Sequence, residues 1–257
     1  VSSGYSNTEF TKQVFDGGGG KYMDALSIHT YPSITGKAVD EIALTYDALI
    51  DEIKKAMGST PKPIWITETG YSSTIFDNYE ITEEQQGAYM TRIYTLAEAN
   101  GGAEKVFFYD LKNDFPDGNR SFNQAQFGML SHFGSRPKPA FYMLNTVIKL
   151  TEGLSYNGKA VTSRADNNYK GLSVYKFGNE RKNVYVVWTN GGAEYNLKIK
   201  SAEGNEFNAE TENSDAILTL SAEDKDRAAE VYDCRGTRYS DSKSVKAGYL
   251  PTYVVLS

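Results

Sequence analysis

Three short apolar runs, each ending in a polar cluster, constrain this chain more than any other feature. They are Asp24-Ala-Leu-Ser-Ile-His29, Pro63-Ile-Trp-Ile-Thr67 and Lys105-Val-Phe-Phe-Tyr109. Runs of this kind are expected of strands buried on both faces. Helical patterns separate them. Val39, Ile42, Tyr46, Leu49, Ile53 and Met57 recur at helical spacing, with Lys54 and Lys55 in the last turn and Gly58 as a stop. Thr82 with Gln85 predicts a capping box and a helix to about Asn100, with Tyr89, Ile93 and Leu96 inward and Gly101 ending it. Pro139 opens a last helix to about Thr151, with Phe141, Leu144, Val147 and Ile148 as its apolar residues. Strand–helix alternation of this kind belongs to a parallel α/β architecture. The glycines at 17–20 read as a flexible turn, and residues 1–3 as the tail of a further strand.

After Gly153 the period changes to two. Strands are expected at Leu172–Phe177, Val184–Trp188, Tyr195–Ile199, Ile217–Leu220, Glu230–Tyr232 and Tyr253–Leu256, separated by Asn, Gly, Asp and Ser clusters. Thr189-Asn190-Gly191-Gly192 suits a hairpin turn, because Asn and Gly tolerate positive φ. The expected division is therefore an α/β domain over residues 1–152 and a β-sandwich over 153–257. Trp65 and Trp188 fall in mid-strand and read as core, and Cys234 as a small buried hydrophobe.

A net charge of -6 argues against nucleic acid and gives no reason to invoke an anionic membrane surface. One cysteine and two histidines, His29 and His132, offer no metal-ligand cluster, and no cofactor is expected. No apolar run is long enough to span a bilayer. The 19 tyrosines and 12 phenylalanines supply candidate platforms for sugar rings, although most must be core.

The polar ends of the runs are where chemistry is expected, since catalytic groups of a (β/α)8 barrel sit at the C-terminal ends of strands. They read His29-Thr30-Tyr31-Pro32, Thr67-Glu68-Thr69-Gly70-Tyr71 and Tyr109-Asp110-Leu111-Lys112-Asn113-Asp114. In order and spacing they resemble strands six, seven and eight of clan A glycoside hydrolases. Strand six carries a His-x-Tyr pattern, strand seven ends in the nucleophilic Glu, and strand eight offers an aromatic platform. The likeness is to families 39 and 5 and covers residues 1 to about 152. It implies a partial (β/α)8 barrel, about strands five to eight, and a retaining hydrolase of β-linked oligo- or polysaccharide. Glu68 is then the nucleophile, Tyr31 its hydrogen-bonding neighbour, and His29 binds a sugar hydroxyl or orients the site. Tyr109 and, more weakly, Tyr71 stack on or edge the ring, while Asp110, with Asn113 and Asp114 on the long connection Leu111–Arg136, takes hydroxyls.

Each residue also has a structural reading. A Glu after a buried strand can be an ion-paired structural carboxylate, and His29 a satisfied buried histidine. Tyr109 is nearly as well explained as core. Asp114, Asp117 and Asn119 lack the spacing of a cation loop and read as solvated, while His132 faces either the cleft or solvent.

The family pattern breaks at one point. Its acid/base, a Glu preceded by Asn at strand four, has no counterpart before residue 153; Asn179-Glu180 and Asn205-Glu206 lie in the strand-rich region. The expectation is that the acid/base is missing and the chain inactive alone. Being a piece of a longer enzyme is favoured, weakly supported by an initial Val; pairing with a separate N-terminal half-barrel or a second copy are the other two arrangements. The competing function is a non-catalytic carbohydrate-binding or scaffold protein on a degenerate barrel. A further reading gives sugar binding to the sandwich through tyrosines such as Tyr169 and Tyr195. A secreted or periplasmic location is expected from a polysaccharide-degrading role.

Overall fold

The computed structural model describes residues 8–31, 49–76, 79–99, 103–120, 123–161, 171–190, 192–201, 203–204, 206–241 and 245–257. The architecture is mixed α/β with several sheets, divided into two compact units, Val1–Lys138 and Pro139–Ser257. Among the described residues no helix is long and apolar enough to cross a membrane.

In the first unit, α1 (Thr8–Asp16) is followed by a 3₁₀ turn at Gly19–Tyr22 and β1 (Leu26–His29). The sequence reading missed α1. The glycine run is a defined structure rather than a loose turn, with Gly18 at φ 80° opening the 3₁₀ segment. Residues 1–3 and 32–48, including Val39, Ile42 and Tyr46 of the expected helix, lie outside the described residues; the helix α2 is seen over 49–56. Then come β2 (Ile64–Thr69), a small hairpin of β3 (Ile75–Phe76) and β4 (Tyr79–Glu80), α3 (Glu83–Ala99) and β5 (Ala103–Phe108). The capping box of α3 forms as expected. Gln85 N–H donates to Thr82 Oγ1 at 3.1 Å, and Thr82 N–H to Gln85 Oε1 at 2.9 Å.

The three apolar runs form one parallel sheet in the order β1-β2-β5. Leu26, Ile28, Ile64 and Ile66 are buried, as are Ile50, Ile53, Met57, Ile93 and Leu96 from the helices. The alternate residues Ser27, His29, Trp65 and Thr67 are only half-buried. Trp65 is therefore not core. It lies on the open face, where its indole N–H donates to Glu104 at 2.9 Å and Lys105 sits over its ring. The long connection is folded as well. It carries a 3₁₀ turn at Asn123–Gln126, and Leu130 bridges to both Lys112 and Pro137.

The second unit opens with α4 (Pro139–Thr151). Its buried side is Ala140, Met143, Leu144 and Val147, whereas Phe141 and Ile148 are exposed. The apolar stripe is centred on Met143 and Val147, one step round from the one expected. The strands are β6 (Ser155–Val161), β7 (Leu172–Gly178), β8 (Asn183–Thr189), β9 (Tyr195–Ser201), β10 (Asn208–Glu212), β11 (Asp215–Leu220), β12 (Ala229–Tyr232), β13 (Lys246–Ala247) and β14 (Thr252–Leu256). They make a five-stranded sheet, β12-β14-β8-β7-β6, and a four-stranded one, β10-β11-β9-β13. Leu172, Val174, Tyr185, Val187 and Val254 of the first meet Leu197, Ala209, Ala216 and Leu218 of the second in one buried cluster. Trp188 is buried and stacks on Tyr175 at 5.0 Å. Tyr195 packs against the cluster and is not a free surface platform, Cys234 is buried, and Tyr169 lies outside the described residues.

Because β8 and β9 belong to different sheets, 189–192 is a crossover and not a hairpin. The hairpin turn is at 179–182, between β7 and β8. There Asn179 Oδ1 accepts from the backbone N–H groups of Arg181 and Lys182.

A charged group is buried in this unit. Asp224, with no exposed surface, accepts hydrogen bonds from Tyr185 Oη at 2.6 Å, Asn183 Nδ2 at 2.5 Å and Ser221 Oγ at 3.2 Å, and pairs with Lys176 Nζ at 2.7 Å. Burial opposes its charge, but the bonds from Lys176, Tyr185 and Asn183 outweigh it and hold the carboxyl below its ordinary value of 3.8. Removing one partner of such a pair strands the other. Asp224→Ala is expected to lower stability by about 3–5 kcal/mol at neutral pH, read from urea unfolding by Trp188 fluorescence in a Trp65→Phe background. A depressed carboxylate contributes stability above its unfolded value and loses it as pH falls through the folded one. The gap between wild type and variant should therefore close below about pH 4.

Candidate active site

The site is built where β1, β2 and β5 end. Along β1 and β2 the register runs Leu26–Ile64, Ser27–Trp65 and Ile28–Ile66, then slips, so that His29 faces Glu68. Thr67 is the extra residue. Its hydroxyl meets Ser27 Oγ at 2.7 Å, and it shares the open side with Glu68, which breaks the alternation of burial along β2. A bulge re-aims the side chains that follow it. Here it turns the Glu68 carboxylate towards β1.

Beyond the slip the strand ends are tied closely. Thr30 N–H donates to the Glu68 carbonyl at 3.0 Å, Thr69 Oγ1 to the Thr30 carbonyl at 2.6 Å, and Tyr109 N–H to the Thr69 carbonyl at 2.7 Å. Gly70 allows the last approach, since a Cβ on it would lie 2.1 Å from the Tyr109 carbonyl oxygen.

The Glu68 carboxylate, 40% exposed, accepts from Tyr31 Oη at 2.9 Å and lies 3.3 Å from His29 Nδ1. Burial, then the hydrogen bond to Glu68, pushes the Tyr31 phenol well above its ordinary range, so it remains a donor. Tyr31 and Tyr109 meet edge to face at 6.5 Å, and the buried ring of Phe127 backs both, at 5.8 Å and 5.5 Å. Tyr109 Oη donates to Asp114 Oδ2 at 3.2 Å, and its phenol is raised by burial first and Asp114 second. Asp110 follows Tyr109 through a cis peptide. Burial, then the nearby Asp114 charge, pushes its carboxyl up to about 6 against the pull of Lys138 and Lys112. Its Oδ1 is enclosed without a hydrogen-bond partner.

Glu68, Tyr31, His29 and Tyr109 thus come together, with Asp110 and Asp114 beside Tyr109. Two expected site residues do not join them. Tyr71 is buried, its ring edge-on to Tyr89 of α3 at 4.8 Å, because the chain turns inward after Gly70. Asn113 is also buried, its amide donating to Gln126 Oε1 at 2.7 Å and Asp117 at 3.2 Å. Asp117 is not loose in solvent either: it pairs with Arg136 at 3.1 Å and accepts from His132 N–H. His132 Nδ1 lies 2.9 Å from the Asn113 carbonyl. Among the described residues no group of three or more His, Cys, Asp or Glu is placed to hold a metal.

The sequence reading missed Phe127 and Gln86. Gln86, fully buried on α3, donates through Nε2 to the carbonyls of Tyr71, Gln126 and Phe127 at 2.6, 3.1 and 2.9 Å. A glutamine on the stripe of Ile93 and Leu96 was a readable signal; Phe127, in a loop, had none.

Residues 3–135, just over half of the chain, match the family model of the glycosyl hydrolase catalytic core. The chain belongs to that family. Glu68, Tyr31, His29 and Tyr109 all lie within the matched part of this catalytic core. Among solved structures, a family 39 glycoside hydrolase from the gut symbiont Bacteroides cellulosilyticus WH2 matches with a TM-score of 0.63 and 20% identity, over 95% of this chain and 46% of that one. A GH30 endoxylanase from Clostridium papyrosolvens C71 matches with a TM-score of 0.55 and 14% identity, over 100% and 55%. A family 30 subfamily 8 xylanase from Clostridium acetobutylicum gives 0.55 and 11% over the same shares. At these identities the likeness is one of fold, and the chain spans about half the length of these structures. No curated protein matches it in sequence.

Gly70→Ala should push the β2 and β5 ends apart and lower stability by about 1–3 kcal/mol. Gly118→Ala, where a Cβ meets nothing within 4 Å, should change it by less than about 0.5 kcal/mol. Urea denaturation monitored by circular dichroism compares the two.

Proposed function

We propose that this chain carries the nucleophile, Glu68, of a retaining hydrolase of β-linked oligo- or polysaccharide. Its two units then correspond to the later strands of a (β/α)8 barrel and a β-sandwich. The observation that carries the reading is a half-exposed carboxylate at a strand end, held by the Tyr31 hydroxyl at 2.9 Å beside His29 at 3.3 Å. Membership of the glycosyl hydrolase catalytic core supports it.

In this reading Glu68 attacks the anomeric carbon while a second carboxyl group, about 5 Å away, protonates the leaving oxygen. Tyr31 keeps its proton and steadies the carboxylate before attack. His29 orients the site, Tyr109 lies beside the ring, and Asp110 and Asp114 take hydroxyls. The second carboxyl group is proposed to come from beyond residues 1–257 of the same polypeptide, rather than from a separate half or a second copy. The absence of an Asn-Glu pair from residues 1–152 supports this. A secreted or periplasmic location fits such a substrate.

The same absence of an Asn-Glu pair also suits a second reading, a non-catalytic carbohydrate-binding or scaffold protein on a degenerate barrel, because retaining hydrolysis needs two carboxyl groups. The two readings separate with a 2-deoxy-2-fluoroglycoside bearing an activated leaving group, which needs no acid catalyst. The expected result is a covalent adduct on Glu68 found by peptide mapping, lost in Glu68→Gln, with azide accelerating turnover of an activated unfluorinated glycoside. An adduct on another residue, or sugar binding with no adduct, overturns the assignment.

A further inference from the structure

Behind the rim sits a charged side chain that the chemistry of Glu68 does not use. Lys138 has no exposed surface. Its Nζ donates to Ser73 Oγ at 3.0 Å, Asn113 Oδ1 at 3.3 Å and the Gln126 carbonyl at 3.0 Å. Ser73 lies on the segment that follows Glu68, and Asn113 and Gln126 on the connection that follows Tyr109. Three acceptors meet the three hydrogens of an ammonium.

The charged groups around it are Glu83 in the first turn of α3, Arg136 and Asp117 on the long connection, and Asp110 at the rim. Burial pushes Lys138 down to about 8 from its ordinary 10.5; Arg136 adds to the fall, while Glu83, Asp117 and Asp110 resist it. A lysine held below its unfolded value destabilises the fold while it is charged. Stability from this group rises as the proton leaves between about pH 8 and the unfolded value. Stability alone favours an apolar residue at such a position.

We propose that Lys138 is a positioning residue for the Glu68 site. Its ammonium ties the segment after Glu68 to the segment after Tyr109, and through Phe127 it holds Tyr31 and Tyr109 beside the carboxylate. The inference rests on Glu68 being the reacting group. The linkage is short: Gln126, which Lys138 grips by its carbonyl, is followed by Phe127, whose ring backs both tyrosines. A neutral amine has two hydrogens for the same three acceptors, so the tie loosens once the proton is lost.

Two readouts on the full chain test this. One is the rate at which an activated 2-deoxy-2-fluoroglycoside labels Glu68 as a function of pH. The other is the ¹⁹F resonance of a single 4-fluorophenylalanine at position 127, a ring that does not itself titrate. In the wild type both should change with a shared midpoint near about pH 8, and labelling should slow as the pH rises. Lys138→Met should abolish that step in both readouts and slow labelling about tenfold at neutral pH. Lys138→Arg, which stays charged, should remove the alkaline step. Thermal unfolding identifies any variant that fails to fold, and the wild-type profiles alone then decide. Wild-type labelling without an alkaline step, or a step that survives in Lys138→Met, overturns the positioning role and leaves the Glu68 reading standing. Absence of any wild-type label on Glu68 overturns that reading, and the positioning role with it.

Discussion

The site depends on one extra residue in β2. A parallel pair in unbroken register would put Thr67 opposite His29 and turn Glu68 towards the helices with Ile64 and Ile66. The slip at Thr67 prevents this and leaves two consecutive residues on the open side. A bulge sacrifices ladder pairing locally, and the loss is offset by close ties beyond it, from Thr30 to Glu68, Thr69 to Thr30 and Tyr109 to Thr69. The carboxylate is thus mounted on strands, which position a side chain more precisely than a loop does.

Both units bury polar groups, in chemically different ways. In the second, Asp224 is surrounded by donors enough to favour its charge, and the network joins β7, β8 and the turn after β11. In the first, Lys138 and Gln86 satisfy carbonyls and side-chain oxygens of irregular segments that cannot pair as strands. A buried loop carries unpaired backbone groups, and these two side chains supply donors that a sheet would otherwise provide. The aromatic set of Phe127, Tyr31 and Tyr109 stands on that support.

Much of the scaffold was legible because its local signals agreed. The three apolar runs, the Thr82–Gln85 box and the limits of α4 follow from burial, capping and proline geometry acting over a few residues. Failures came where a distant partner decides. Ser155–Val161 contains Asn157-Gly158 and Asn208–Glu212 is mostly polar, yet both are strands because a neighbouring strand offers a ladder. Thr189–Gly192 has hairpin residues but leads from one sheet to another. Trp65 has the size of a core residue and the position of an open-face one. Tyr71 and Asn113 carry the right chemistry for a sugar site, but the chain turns them inward.

By itself, the sequence determined the three strands of the parallel sheet and the helix that follows Thr82 in the first unit, and which strand ends carry ionisable groups, because hydrophobic period and capping are local. Its resemblance to clan A glycoside hydrolases, through the His29-x-Tyr31 pattern and the Glu68 that ends the second run, also singled out Glu68 with Tyr31. Only the tertiary structure decided that the Tyr31 hydroxyl reaches Glu68, that Phe127 backs the aromatic pair, and that Lys138 lies beneath the rim. Those facts depend on a register slip and on contacts between residues tens of positions apart, and neither leaves a mark in the pattern of any one segment.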